Sequence, residues 1–152
     1  MSALQTSGFH LIFGTGPAAC WAAHHLCAKG VAVKAVNRSG KRPQLMPQQV
    51  RIIQADVSDL EQTIQITRGA SVVYQALGPA YSQWAQLFPR LQAHTIEAAA
   101  RAGAHYVALE NLYMLDARAT ITEQTQQALA RSKAGCAHKC TAISWRITSE
   151  AI

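Results

Sequence analysis

Phe9-His10-Leu11-Ile12-Phe13-Gly14-Thr15-Gly16-Pro17-Ala18-Ala19 is the stretch on which the fold turns. Five apolar or weakly polar residues ending in Gly-x-Gly-Pro read as a buried strand followed by a sharp turn. Pro17 suits the first position of a helix, where the missing N–H has no partner to lose. Ala18, Ala19, Ala22, Ala23, Leu26 and Ala28 continue that helix over 17–29, and Gly30 ends it. Gly14-x-Gly16-x-x-Ala19 therefore stands between a strand and a helix, as a dinucleotide-binding turn does. Gly14 permits the tight turn, and Gly16 lets backbone approach a pyrophosphate without a Cβ in the way. Ala19 is small enough for helix and strand to pack closely. The free N–H groups and the positive dipole end of the helix then face the phosphates.

Working outward, Val31–Val36 reads as a second strand and 38–49, with Ser, Gly, two Pro and three Gln, as a loop. Val50–Ala55 is a short third strand. A helix is expected over 59–68, capped by Ser58 or Asp59, then a fourth strand over Ser71–Ala76. A long helix over 82–102 carries Trp84, Leu87, Phe88, Leu91, Thr95, Ile96 and Ala99 at helical spacing; Pro89 is expected to kink or split it, and Gly103 to stop it. His105–Leu109 is the fifth strand. Strands alternating with helices of this length imply βαβ units. The right-handed crossover rule then leaves few arrangements. The expected fold is α/β: a Rossmann-like, doubly wound parallel sheet of order 3-2-1-4-5 with helices on both faces. Residues 1–120 are expected to form this cofactor-binding domain, and 121–152 a short C-terminal segment. In that segment Ile143–Ile147 alternates like a sixth strand.

The 152 residues carry 14 Lys and Arg against 8 Asp and Glu, a net +6. Six of the cations (Lys29, Lys34, Arg38, Lys41, Arg42 and Arg51) precede Asp56, the first anion, so the whole excess lies in the first third. An anionic small ligand accounts for this; nucleic acid is the competing partner, and basic residues in the exposed loop 38–51 could equally serve solubility alone. No aromatic residue occurs between 29 and 51 to stack on bases, so nucleic acid is not expected. Nor is a membrane partner, because no apolar run reaches the ~20 residues of a span. No basic segment precedes the first apolar stretch, which leads us to expect a cytoplasmic protein with reduced cysteines. Cys20, His24 and Cys27 share a helical face at i, i+4 and i+7, and Cys136-x-His138-x-Cys140 lacks the C-x-x-C spacing of zinc motifs. No metal is expected at either.

The end of the second strand selects the cofactor. NAD enzymes usually place an acid there for the ribose 2′-OH. This chain has Val36-Asn37-Arg38-Ser39. Nothing there repels a 2′-phosphate, Arg38 can pair with one, and Ser39, Lys41 or Arg42 could assist. NADP is therefore expected in preference to NAD. Asp56-Val57 after the third strand could face the adenine, or Asp56 could serve with Asp59 as an acid at a helix start. Ala76-Leu77-Gly78, before Pro79, could let backbone pass beside the nicotinamide half.

Together these segments resemble the short-chain dehydrogenase/reductase superfamily, in its extended and atypical branch of NAD-dependent epimerase/dehydratase-like proteins. The resemblance runs over roughly residues 9–125. Glu110-Asn111-Leu112-Tyr113-Met114 and the Thr122-Glu123 pair add to it. It implies an oxidoreductase acting on a carbonyl or hydroxyl compound, a smaller C-terminal substrate region, and a long helix that commonly pairs with its mate; Trp84 and Phe88 are then core residues or, if both copies expose that stripe, a homodimer face. The chain departs from the family in two ways. The catalytic pair of that family is Tyr-x-x-x-Lys, in which the tyrosine moves the hydroxyl proton. Here Tyr74, Tyr81, Tyr106 and Tyr113 are followed four residues later by Gly78, Ala85, Glu110 and Ala117. Asn111 and Tyr113 are the catalytic candidates that remain. Family members also run longer, so a truncated copy is expected, with a non-catalytic NADP(H) sensor or partner-binding module as the alternative.

Overall fold

The computed structural model describes residues 8–110 together with 120, 122, 124 and 125. Five strands and three helices follow one another along it, with β2 and β3 joined by a loop: β1 (Phe9–Phe13), α1 (Pro17–Ala28), β2 (Val33–Asn37), β3 (Arg51–Gln54), α2 (Leu60–Thr67), β4 (Ala70–Gln75), α3 (Trp84–Ala102) and β5 (His105–Ala108). A single 3-10 turn, Tyr81–Gln83, leads into α3. All strand pairs are parallel, in the order β3-β2-β1-β4-β5. This is the Rossmann-like arrangement the sequence implied.

The central strand shows why the order holds. Leu11, Ile12 and Phe13 are all fully buried, which only a strand covered on both faces allows. Side chains alternate between the two faces. Leu11 and Phe13 pack with Val73 of β4 and with Ile96 and Ala99 of α3. Ile12 packs with Ala19, Cys20 and Ala23 of α1 and with Val33 and Ala35 of β2. Each large apolar side chain buried this way stabilises the fold by about 1.5–3 kcal/mol.

Two features differ from the sequence reading. β2 begins at Val33 rather than Val31; the carbonyl of Ala32 still accepts from the His10 amide at 2.8 Å. Pro89 neither splits α3 nor ends it: one helix runs through Trp84–Ala102 with Pro89 inside. The proline sits in its second turn. The expected strand over 143–147 lies outside the described residues. Among the described residues β5 is an edge strand. Tyr106 and Ala108 pack toward α3, while on the other face Val107 and Leu109 are 39% and 56% exposed.

Candidate functional site

β1 leads through α1 to one side of the sheet, and β4 leads through α3 to the other. At the carboxyl edge between them the chain leaves a crevice, the place where open α/β sheets take ligands. It measures about 570 Å³, within the ~300–1,000 Å³ of small-molecule sites. The structure brings Gly14, Thr15, Gly16, Pro17, Ala18 and Ala19 to it from the β1–α1 turn. Asn37 and Arg38 reach it from β2, Asp56 and Val57 from the segment after β3, and Ala76, Leu77 and Gly78 from the segment after β4.

The two glycines of the turn do different jobs. Gly14 has φ +109, and a Cβ on it would lie 2.6 Å from the Ala76 carbonyl oxygen. Its amide donates to the Val36 carbonyl at 3.0 Å, and the Ala76 amide donates to the Phe13 carbonyl at 2.9 Å. The turn is thus tied to β2 and β4 at once, with no room for a side chain. Gly16 has ordinary extended backbone, φ −71 and ψ 178, and a Cβ on it would meet nothing within 4 Å. Packing within the chain does not require a glycine there. The helix that follows has no side-chain cap and no acidic residue in its first turn. The amides of Ala18 and Ala19, two residues that line the crevice, are thereby left without intrahelical acceptors.

Asn37 builds the loop after β2. Its Nδ2 donates to Thr15 Oγ1 at 3.1 Å and to the Lys41 carbonyl at 2.8 Å. Its Oδ1 accepts from the Gly40 amide at 2.7 Å and from Ser39 Oγ at 3.3 Å. This holds Arg38 on the wall of the crevice. The expected assistants are differently placed. Ser39 and Lys41 turn to the loop, the Lys41 amide donating to Ser39 Oγ at 3.2 Å. Arg42 is committed elsewhere: its two terminal nitrogens donate to the Pro47 and Val50 carbonyls, each at 2.7 Å.

Asp56 and Asp59 are placed differently. Asp59 is the cap of α2, its carboxylate accepting from the Gln62 amide at 3.0 Å. Asp56 lines the crevice instead, with Oδ1 accepting from the Ser58 amide at 2.9 Å. That amide holds its carboxyl below the usual carboxylate range; burial opposes this, and Arg38 and Arg90 add to it. Beside Asp56 stand Val57, Leu77, Leu87 and Leu91, an apolar wall. Leu87 and Leu91 were legible only as core positions of a long helix, because i, i+4 spacing is the same whether a stripe packs on a sheet or on a ligand.

Asn111 and Tyr113 lie outside the described residues. Trp84 stacks on Phe88 at 4.5 Å, and Phe88 is buried, so this pair packs within the chain. Cys20 is buried, with its Sγ 3.6 Å from the Thr15 carbonyl. His24 Nε2 lies 3.0 Å from the Leu45 carbonyl. A second hollow, of about 630 Å³ between α1 and the 44–49 loop, has no lysine, arginine or carboxylate among its lining residues. Among the described residues no helix is long and apolar enough to cross a membrane.

No family model matches the chain, and no curated protein matches it by sequence. Solved structures do. A suspected epimerase from Burkholderia cenocepacia matches with a TM-score of 0.78 at 16% identity, over 94% of this chain and 51% of its own. UDP-glucose 4-epimerase from Thermotoga maritima, solved with UDP-glucose, matches with a TM-score of 0.75 at 11% identity, over 93% and 52%. The Bordetella bronchiseptica enzyme WbmG, solved with NAD and UDP, matches with a TM-score of 0.71 at 14% identity, over 89% and 48%. The chain thus spans about half the length of these proteins, and over that half it has the Rossmann-like fold that they share.

Proposed function

We propose that the chain binds NADP(H) in this crevice, and NAD(H) less tightly, as the cofactor-binding part of an oxidoreductase of the epimerase/dehydratase type. The observation that carries the reading is the contrast at the turn. Gly14 is required by the Ala76 carbonyl, whereas Gly16 opens onto the crevice beside an uncapped, acid-free helix start. That is the cradle a pyrophosphate needs. The remaining residues suit the rest of the molecule. Val57, Leu77, Leu87 and Leu91 offer flat apolar contact to a purine, and Asp56 an acceptor for its amino group. Arg38 offers a guanidinium to a 2′-phosphate, and no acid on β2 opposes it. When bound, the cofactor would supply hydride to, or take it from, a carbonyl or hydroxyl compound. The chain's own part is to hold it and to keep its phosphates in register.

Titration of the chain with NADPH and NADH, followed by nucleotide fluorescence, tests this. NADPH should bind more tightly, and Arg38→Ala should weaken NADPH by about tenfold or more while leaving NADH nearly unchanged. Equal affinities, unmoved by the substitution, would refute the 2′-phosphate assignment. Absence of binding by either nucleotide would refute the whole reading.

A further inference from the structure

Asn37 is the last residue of β2, and its carbonyl accepts from the Ala55 amide at 3.0 Å, so its backbone belongs to the sheet. It stands about twenty residues past Gly16, where NAD enzymes carry the acid that binds the ribose 2′-OH. Its own side chain is fully engaged within the protein. An amide side chain has two N–H donors and one oxygen with two lone pairs. Both N–H groups are given away, to Thr15 Oγ1 at 3.1 Å and to the Lys41 carbonyl at 2.8 Å. Both lone pairs are taken, by the Gly40 amide at 2.7 Å and by Ser39 Oγ at 3.3 Å.

Three of these bonds fold the next residues back onto Asn37, and the fourth ties that fold to the phosphate turn. Gly40 has φ +68, a left-handed conformation in which glycine is at no cost, and its amide is thereby brought back to Asn37 Oδ1. Beyond Lys41, Arg42 anchors the loop on the Pro47 and Val50 carbonyls. Arg38 lies inside this closed turn, between the residue that ends the strand and the serine bonded to it, and it lines the crevice.

We infer that Asn37 is a positioning residue for cofactor selectivity: its amide closes the 38–41 turn against Thr15, holds Arg38 where a 2′-phosphate arrives, and leaves the ribose itself untouched. The inference rests on the reading above. Its consequence runs against the motif, by which an acid at 37 would create an NAD site. Aspartate has the shape of asparagine but no N–H to give. One of its oxygens would face the Lys41 carbonyl across the 2.8 Å that now holds a hydrogen bond. The Thr15 hydroxyl can turn and donate to a carboxylate; a carbonyl cannot. The turn must then let go at Lys41, and the hold on Arg38 loosens with it. The carboxylate stays engaged by the Gly40 amide and the hydroxyls of Ser39 and Thr15, so no ribose site replaces what is lost.

NADPH and NADH affinities of the full chain and of Asn37→Asp, Asn37→Ala, Arg38→Ala and the double variant N37A/R38A test this. Each Asn37 variant should weaken NADPH by at least about threefold, and by no more than Arg38→Ala does, while NADH stays within about twofold. Retained NADH binding shows that the variant is folded and its phosphate turn intact. In the Arg38→Ala background, Asn37→Ala should cost NADPH nothing further, because the residue acts through the arginine. Three results would overturn the inference: tighter NADH binding by Asn37→Asp, equal loss of both nucleotides, or additive losses in the double variant. Should the Asn37 variants fail to fold, Thr15→Val removes only the bond between turn and loop. It should lower the preference for NADPH, and an unchanged preference would overturn the inference. A natural chain that binds neither nucleotide, or both equally, overturns the reading above, and that result appears before any variant is made.

Discussion

Gly14 and Gly16 look alike in the sequence and are opposites in the structure. Alanine at 14 would force a Cβ to 2.6 Å from the Ala76 oxygen at a φ of +109. Gly14→Ala should therefore destabilise the chain by roughly 1–3 kcal/mol, read from urea denaturation. Valine at 16 would project into open space from extended backbone. Gly16→Val should leave stability within about 0.5 kcal/mol yet abolish measurable NADPH binding. If both variants lose stability alike, the second glycine serves packing and not a ligand. The motif's spacing was legible because two separate constraints happen to call for the same residue type. What it could not tell was which constraint acts where, since that depends on the β4 carbonyl approaching from some sixty residues away in the chain.

Among the elements, α2 is the one whose start carries most information. Asp59 caps it through the Gln62 amide, and Gln62 Oε1 in turn accepts from the Asp56 amide at 2.8 Å. Asp59→Ala should cost about 0.5–2 kcal/mol, seen as a lower melting temperature, with NADPH affinity nearly unchanged because Asp56 keeps its Ser58 contact. Both aspartates were visible as acids near a helix start. Dividing the labour between them required the side-chain bonds. The same limit explains α3. Its apolar spacing fixed its existence, and Pro89 suggested a break. Yet the helix persists because Phe88, Gln92, Thr95, Ile96 and Ala99 all bury one face on the sheet, and this packing outweighs a single missing backbone bond. Leu87 and Leu91 lie on its crevice side, where period alone cannot separate core from ligand wall.

At the scale of the whole molecule, two carboxyl groups give the stability opposite pH trends. Glu110 is raised by burial. The stability tied to its protonated form is complete below the ordinary carboxylate range and is lost as pH rises through its folded-state value. Glu110→Gln should therefore gain stability relative to the natural chain as pH is raised from about 4 to 7. Asp56 is lowered, chiefly by the Ser58 amide. Its contribution is present above the ordinary range and lost as pH falls through the depressed value. Asp56→Asn should flatten the acid side of the stability profile. Thermal unfolding across this pH range, one variant at a time, checks both signs. The sheet order itself was legible from the alternation of strands and helices, because chirality and burial leave few alternatives. The bare side of β5 was not, because exposure depends on what the rest of the molecule covers.

The double tether of the β1–α1 turn has a dynamic corollary. Gly14 is bonded to β2, and Phe13, just before it, to β4, so a molecule resting on this loop presses on both wings of the sheet together. Loading the crevice should then slow deuterium uptake at Gly14 and Ala76 in step, as though one latch closed two doors.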